Sequence, residues 1–308
     1  MYIGVDFLFD RDRKLYLSEV NTGVPGGAQE YDFVYRVKFG KPSCVFEKIE
    51  SLSQEIFNTN FSDHIHGLPY IDDLRALKIW MDGEGPLPEK PSPALRLEDK
   101  WIQYLILSGD YPMVSTEIFR KESLKSYEKF FSEGNPVALK RRLGRGGKGF
   151  LLVRDISGLK KLDMMDHFYL VQPFLESQIG PLKLSVRAAA FAGRFICMFA
   201  NLSPRLTSNH GFRFYVSPGE GFRLSDMDFK VRKIFQKAWE ADIFFKGKIP
   251  EYLYHNVFEE EIAEAELIIP DSVYQEIKRI SASISRFYQG LDFKTLPKSF
   301  IEEQQEVF

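Results

Sequence analysis

The opening stretch, residues 1–27, constrains the chain most. Tyr2-Ile3-Gly4-Val5-Asp6-Phe7-Leu8-Phe9 has the dense apolar character of a strand buried on both faces, residues 10–14 form a charged turn, and Leu15-Tyr16-Leu17-Ser18-Glu19-Val20 reads as the returning strand. Such a hairpin brings Asp6, near the end of one strand, to the level of Glu19 and Asn21 on the next. Glu19 and Asn21 share a face, because side chains alternate along a strand. Two carboxylates and an amide oxygen converging on one spot are hard oxygen ligands of the kind Mg²⁺ uses when it also holds phosphate oxygens. The same residues also suit a surface hairpin with scattered acids. Behind them, the loop 22–30 with Pro25-Gly26-Gly27 is suited to close approach of backbone N–H groups to a ligand, or to service as a plain connector.

At 308 residues the chain is long enough for one large or two ordinary domains with real cores. Lys plus Arg (41) nearly balance Asp plus Glu (43), so bulk charge predicts no nucleic-acid or membrane attraction, and any basic patch must be local. Cys44 and Cys197 lack a CxxC or Cys/His spacing, which points to reduced structural thiols in a cytoplasmic protein rather than a metal–thiolate site. No basic region followed by a long apolar run begins the chain, and no apolar segment approaches a membrane span.

Further along, residues 31–39 read as a strand, and 43–57 carry apolar residues at the spacing of an amphipathic helix. Residues 58–69 form a polar loop in which His64 and His66 suit a solvated turn better than a metal site, for want of a third nearby ligand. A helix over 71–81, a Pro-rich linker over 82–93 and a helix over 101–107 follow. Residues 111–114 read as a short strand, 123–131 as a helix, and 136–140 and 150–153 as strands. Between those last two lies Arg141-Arg142-Leu143-Gly144-Arg145-Gly146-Gly147-Lys148-Gly149. A glycine turn between strands does not open a helix, so neither a P-loop nor a dinucleotide fingerprint fits. A loop of this kind can close over phosphates, with its amides and Lys148 offsetting charge while Lys140 reaches in from the strand. Its arginines could instead form a nucleic-acid patch, although no stacking aromatic lies among them before Phe150.

Residues 159–162 read as helical, and 168–175 as an apolar strand closed by Glu176. Residues 184–192 and 194–200 read as a hairpin turning at Ala192-Gly193. Arg187 sits inside that apolar hairpin, where a guanidinium wants an anion or a core partner. Residues 209–224 read as a loop, and 226–239, 259–266 and 271–287 as helices, the last with Asp271 or Ser272 as N-cap. Near the end, Tyr288-Gln289-Gly290-Leu291-Asp292-Phe293 echoes Tyr2-Ile3-Gly4-Val5-Asp6-Phe7.

Together these residues resemble the ATP-grasp ligases, outside 31–95. Asp99-Lys100 followed by a helix is similar to that family's lysine-bearing phosphate contact, and 136–150 to its Pro-Val-x-x-Lys strand and glycine-rich flap. Val171-Gln172-Pro173-Phe174-Leu175-Glu176 resembles the adenine-binding hinge. Asp6 with Glu19-x-Asn21 resembles the metal motif, which ends the domain in ordinary members and here begins the chain. The order is similar to the circularly permuted branch, as in eukaryotic glutathione synthetase and the glutathionylspermidine synthetases. The echo at 288–293 agrees with that order, and Asp6 rather than Asp292 is the metal candidate because Glu-x-Asn follows it.

The resemblance implies an α+β ATP-grasp fold in which two subdomains clasp ATP in permuted order. Residues 1–30 would form a metal-binding hairpin of the C-terminal subdomain and 31–96 a helical connecting or substrate segment. Residues 97–175 would be the N-terminal subdomain with the flap, and 176–308 the C-terminal subdomain. It implies a carboxylate–amine ligase using ATP and one or two Mg²⁺ ions, with small-molecule carboxylate and amine substrates. Arg187 and Lys140 would be catalytic; Lys100, Lys140, Gly144, Gly146, Gly147, Lys148, Gln172, Phe174, Leu175 and Glu176 would bind ATP; Asp6, Glu19 and Asn21 would hold metal. Thr22, Gly26, Gly27 and Arg205 are candidates for gripping the substrate. A kinase on the same fold, or a nucleotide-binding sensor without turnover, are the alternatives.

Overall fold

In the computed structural model the described residues are 1–22, 25–66, 68, 71–72, 75–76, 79, 93–144, 147, 149–162, 168–179, 182–203, 212–219, 221–223 and 266–291. The expected linker up to residue 92, the expected helix 226–239, residues 259–265, and Gly146, Lys148, Arg205 and Asp292 lie outside them. The described chain is mixed α+β and built on antiparallel sheets.

The opening hairpin forms as its pattern requires, with β1 over Tyr2–Phe9 and β2 over Leu15–Asn21. Each of the strands β8 (Leu182–Phe191) and β9 (Arg194–Ser203) is ten residues long, and together they make the second hairpin. With β10 (Phe212–Tyr215), and the short β7 (Gln178–Ile179) beside β8, they complete a six-stranded sheet in the order β10-β9-β8-β1-β2. β1 is therefore an inner strand, which explains why its apolar run is continuous rather than alternating. Ile3, Val5, Phe7 and Phe9 pack with Ile277, Ile280 and Ile284 of the long helix Asp271–Gly290, here α6. On the other face, Tyr2 joins Ala28, Ile49 and Ile65 from the three helices α1 (Ala28–Phe39), α2 (Val45–Phe57) and α3 (Phe61–His66). These cover only one end of that face. Asp6 and Leu8, further along β1, are left for the cleft described below.

Close approach, not flexibility, accounts for the glycine inside β1. A Cβ on Gly4 would stand 3.2 Å from the Pro25 ring, so the Pro-Gly loop lies directly on the strand. α6 is tied to the chain start, since Ser285 Oγ donates to Met1 O at 3.0 Å.

A second, four-stranded sheet has the order β3-β6-β4-β5, from Glu117–Ile118, Tyr169–Pro173, Val137–Arg141 and Leu151–Val153 respectively. Val137, Leu139 and Val171 face a core with Phe119, Tyr127 and Phe130. Alternation then turns Ala138, Lys140 and Gln172 the other way, toward the first sheet. Helix α4 (Lys100–Leu107) stands between the sheets, and α5 (Ile156–Lys160) packs beyond the second. Strands β11 (Gly221–Arg223) and β12 (Glu266–Ile268) pair with each other. Among the described residues, no helix is long and apolar enough to cross a membrane.

Several expectations are corrected. Residues 31–39 belong to helix α1, not a strand: Glu30 Oε2 accepts from Gly27 N at 2.7 Å at its start, and Gly40 ends it in a left-handed conformation. Its abundant Tyr and Phe carry strand propensity, which tertiary packing overrides. His64 and His66 lie on helix α3 rather than a loop, His64 stacked on Phe57 at 3.9 Å and His66 against Arg75 at 2.7 Å. The strand expected at 111–114 is reduced to a single parallel bridge between Met113 and Leu17. Consecutive 3-10 turns, not an α-helix, run over Lys121–Gly134. The loop expected over 209–224 contains β10 and β11, Pro270 rather than Asp271 or Ser272 occupies the N-cap of α6, and residues 288–290 continue that helix.

Helix α4 is fastened to the end of β4 by a buried ion pair. Arg142 and Asp99 are fully buried, with Arg142 Nη2 2.6 Å and Nε 3.2 Å from the Asp99 carboxylate oxygens. Asp99 also caps α4 through Trp101 N at 2.9 Å. Removing one partner leaves the other charge buried and unpaired, so Arg142→Met should cost about 3–5 kcal/mol in urea unfolding. The Asp99→Leu/Arg142→Met pair should cost clearly less than the two single changes added. A loss under about 1 kcal/mol for the single change would show that the pair is not the fastener.

Candidate active site

The cleft between the two sheets begins with a row of three charged side chains. Pairing on both edges of β1 sets Glu19 of β2 and Arg187 of β8 on either side of Asp6. The Arg187 guanidinium grips Asp6 through Nε at 2.7 Å and Nη2 at 2.6 Å, and Asn21 Nδ2 donates to Asp6 Oδ2 at 3.1 Å. The hairpin is also bulged here: Asp6 pairs with Glu19 but Phe7 with Leu17, which leaves Ser18 as the extra residue. A bulge breaks the strict in-out alternation, so neighbours Ser18 and Glu19 both line the cleft.

Lysines enter from the opposite wall. Lys140 of β4 approaches Ser18 Oγ at 3.4 Å. Lys100, at the first turn of α4, lies 3.5 Å from Glu19 Oε2 and donates to Gly144 O at 2.7 Å, linking acid, helix and glycine loop. Gly149 of that loop has φ +74°, and a Cβ there would fall 2.4 Å from Arg141 Cδ. The loop thus packs on its own strand in a way other residues resist.

The electrostatics follow from burial and neighbours. Burial raises the Glu19 carboxyl, but Lys100, Lys140 and Arg187 outweigh it and hold it down at about 2. Asp6 moves the other way: burial pushes it up, against the pull of Arg187, and the Glu19 charge adds to the rise. Burial also lowers Lys140, opposed by Glu19. Two carboxyls this close resist losing both protons unless a cation joins them. They are hard oxygen donors, and among the described residues no group of three or more His, Cys, Asp or Glu gathers anywhere. A divalent ion taking one or two carboxylates and completing its shell with phosphate and water oxygens fits such a pair, in the manner of Mg²⁺. Asn21 presents its amide nitrogen to Asp6, which makes it the weaker of the three expected ligands.

Toward Lys183, four residues along β8 from Arg187, the cleft turns apolar; the separation is about 13 Å at the rise of a strand. Phe150 and Phe174 stand with ring centroids 6.4 Å apart, and Val114, Ala138 and Leu184 line the same cleft. Lys183 lies 5.2 Å over the Phe174 ring. Gln172 is buried with Nε2 donating to Thr116 Oγ1 at 2.6 Å, and Phe174 N donates to Pro136 O at 3.0 Å.

Of the residues expected from sequence, Asp6, Glu19, Lys100, Lys140, Gly144, Gly147, Gln172, Phe174 and Leu175 line this one cleft. Arg187 and Asn21 reach it through Asp6. Glu176 instead pairs with Arg11 of the β1–β2 turn at 2.9 Å. Thr22 is tied to Glu98 through its backbone N–H and its hydroxyl, and Gly27 N is tied to Glu30, so neither is turned to the cleft; Gly26 likewise is not among its lining residues. Ser18, Phe150 and Lys183 also line the cleft though the sequence marks none of them as site residues, and Arg141, expected only within a possible nucleic-acid patch, lines it too. Phe150 directly follows the glycine loop and Lys183 directly precedes an expected strand, so position relative to those elements was the available signal. Nothing in the sequence marks the bulge at Ser18.

Glu19 also sets a pH dependence. Its carboxyl titrates near 2 in the folded chain and at about 4.3 unfolded, so its ionised form stabilises the fold above the unfolded value and that contribution is lost as pH falls toward 2. Glu19→Gln should therefore remove on the order of 3 kcal/mol near neutrality and flatten the acid limb of a stability–pH curve. Superimposable acid limbs for the two proteins would show that Glu19 is not held ionised by its lysines. No protein-family model matches the chain, and no curated protein matches it.

Proposed function

We propose that the chain is an ATP- and Mg²⁺-dependent carboxylate–amine ligase of the ATP-grasp kind, in circularly permuted order. The observation that carries this reading is the graded cleft. One end of the cleft is apolar, lined by Phe150, Phe174, Val114 and Leu184, and the other holds a cluster of partly buried lysines and carboxylates. A ligand suited to both ends has a flat apolar head and a polyanionic tail, which describes a nucleoside triphosphate. Charge balance supports the same reading, because among the described lining residues Lys100, Lys140, Arg141 and Lys183 stand against Asp6 and Glu19.

Asp6 and Glu19 would hold the metal, which when bound offsets charge on phosphate oxygens. Lys100 and Lys140 would bind the phosphates, and the glycine loop held by Lys100 would cover them and exclude water. Arg187 spends two N–H donors on Asp6, and its remaining donors would face the transferred phosphoryl group. A substrate carboxylate oxygen would attack the terminal phosphorus as the bond to the bridging oxygen breaks, releasing ADP. The amine would then attack the acyl carbon, losing a proton to solvent as inorganic phosphate departs. The chain's cations act throughout by stabilising charge that is spread over the phosphoryl oxygens in the transition state.

The test is ADP release by the full chain with ATP and Mg²⁺, screened against amino acids, polyamines and small peptides. Release of ADP and phosphate that requires both a carboxylate and an amine supports the ligase. A stable phosphorylated product would make the protein a kinase, and nucleotide binding without turnover a sensor. Lys140→Met should lower turnover on the order of a hundredfold, since it removes one preorganised charge contact. Glu19→Gln should abolish Mg²⁺-dependent turnover in a chain that remains folded by circular dichroism. Wild-type rates in either variant would remove that residue from the site.

A further inference from the structure

A second concavity lies at the other end of the β8–β9 hairpin. Pairing with β10 reaches only as far as Phe199 of β9, so among the described residues the preceding segment, 194–198, has β8 on one edge and no strand on the other. Lys48 of α2 leans over this edge and donates to Phe195 O at 2.8 Å and Ile196 O at 3.0 Å. Lys278 of α6 also lines the groove, and the Phe195 ring lies near both ammonium groups, 5.7 Å from Lys48 and 5.9 Å from Lys278. Arg194 joins them, Tyr31 and Tyr274 add phenol groups, and the free space is about 940 Å³ including the open mouth.

What the groove lacks is a counter-charge. No carboxylate is among its described lining residues. Glu55 lies 4.0 Å from Arg194, but both side chains are more than half exposed, where an ion pair is weak. The Cys197 thiol is kept protonated by burial and offers no charge. Lys48, repelled by Lys278, has two of its three ammonium donors on carbonyls. Cations of like sign gathered around one concavity repel one another, and a bound anion would relieve that repulsion.

We propose that this groove binds a small multivalent oxyanion, phosphoryl or carboxylate in type, held by Lys48, Lys278 and Arg194 with its body against Phe195 and Leu52. The site is independent of the ligase reading, and no residue in it belongs to the cleft.

Inorganic phosphate and citrate, titrated separately into the full chain at low ionic strength with calorimetry and thermal melting as readouts, test it. A saturable site that raises Tm is expected for at least one probe. Response to phosphate alone identifies phosphoryl ligands, to citrate alone carboxylates, and to both the shared charge. Lys278→Met should weaken the binding by about tenfold, the loss of one good charge contact. Lys140→Met, which alters only the cleft, should leave it unchanged. Lys48→Met should weaken it similarly, but Lys48 also holds the strand edge, so Lys278→Met is the deciding variant because it touches neither carbonyl. Absence of saturable binding by both probes would overturn the proposal, as would binding that Lys140→Met removes and Lys278→Met leaves intact.

Discussion

The lateral contact of Glu19, Asp6 and Arg187 across adjacent strands is the interaction on which the rest of the site depends. Asp6 can meet both neighbours only because β1 is paired along both edges, to β2 and to β8. Side chains directly opposite on neighbouring strands stand close enough to touch, so pairing alone delivers acid, acid and guanidinium to one level. Such a row costs desolvation, and the Arg187–Asp6 fork offsets only part of it. Burial raises Asp6 while the cations lower Glu19, so their surroundings drive the two carboxyls apart.

The opposite wall belongs to another sheet, and its position relative to the row is held by few but directional contacts. Leu17 N donates to Pro112 O at 2.8 Å, beside the single bridge to Met113. Gln103 is buried and binds Val20 through both its amide oxygen and its amide nitrogen, at 2.9 and 2.6 Å. Asp99, one turn earlier on the same helix, receives Arg142, whose carbonyl accepts from Lys100 N at 3.2 Å. Helix α4 therefore relates β2 to the strand that carries Lys140. The lysines of the cleft stand where they do because polar groups of this helix have no water to turn to and must find their partners on both sheets.

How much of this was legible follows the range of each signal. The hairpins, the strands around the glycine loop and helices α2, α4 and α6 are set by local periodicity, and they formed where periodicity put them. Helix α1 was misread because Tyr31, Phe33, Val34 and Tyr35 carry strand propensity, while the decisive contacts, Glu30 to Gly27 and the packing of Ala28 beneath β1, are tertiary. Asp6 and Glu19 were legible as neighbours because a hairpin is local. That Arg187 would be the partner of Asp6 was not legible, since 181 residues separate them and only the β1–β8 pairing joins them. Glu176 looked free to meet a ligand because the sequence gives no sign that the turn carrying Arg11 folds over it. Ser18 shows the same limit at short range, for a one-residue bulge leaves the apolar pattern of the hairpin intact.

The two concavities on the β8–β9 hairpin differ in electrostatic completeness. In the cleft every described lysine except Lys183 lies within the field of Asp6 or Glu19, so cations and anions there already hold one another in place. A ligand entering it exchanges partners with carboxylates that the lysines already face. In the groove the cations face carbonyls and an aromatic ring, with no carboxylate among the described lining residues, so the proposed anion would meet less competition there than in the cleft. Such a site responds to charge before shape, and because its mouth is open to solvent it is screened by salt far more than the buried row. The same sheet thus presents a cleft with carboxylates among its lining and, at its other end, a groove with none among the described lining residues, and the difference follows from where carboxylates stand along β1 and β2.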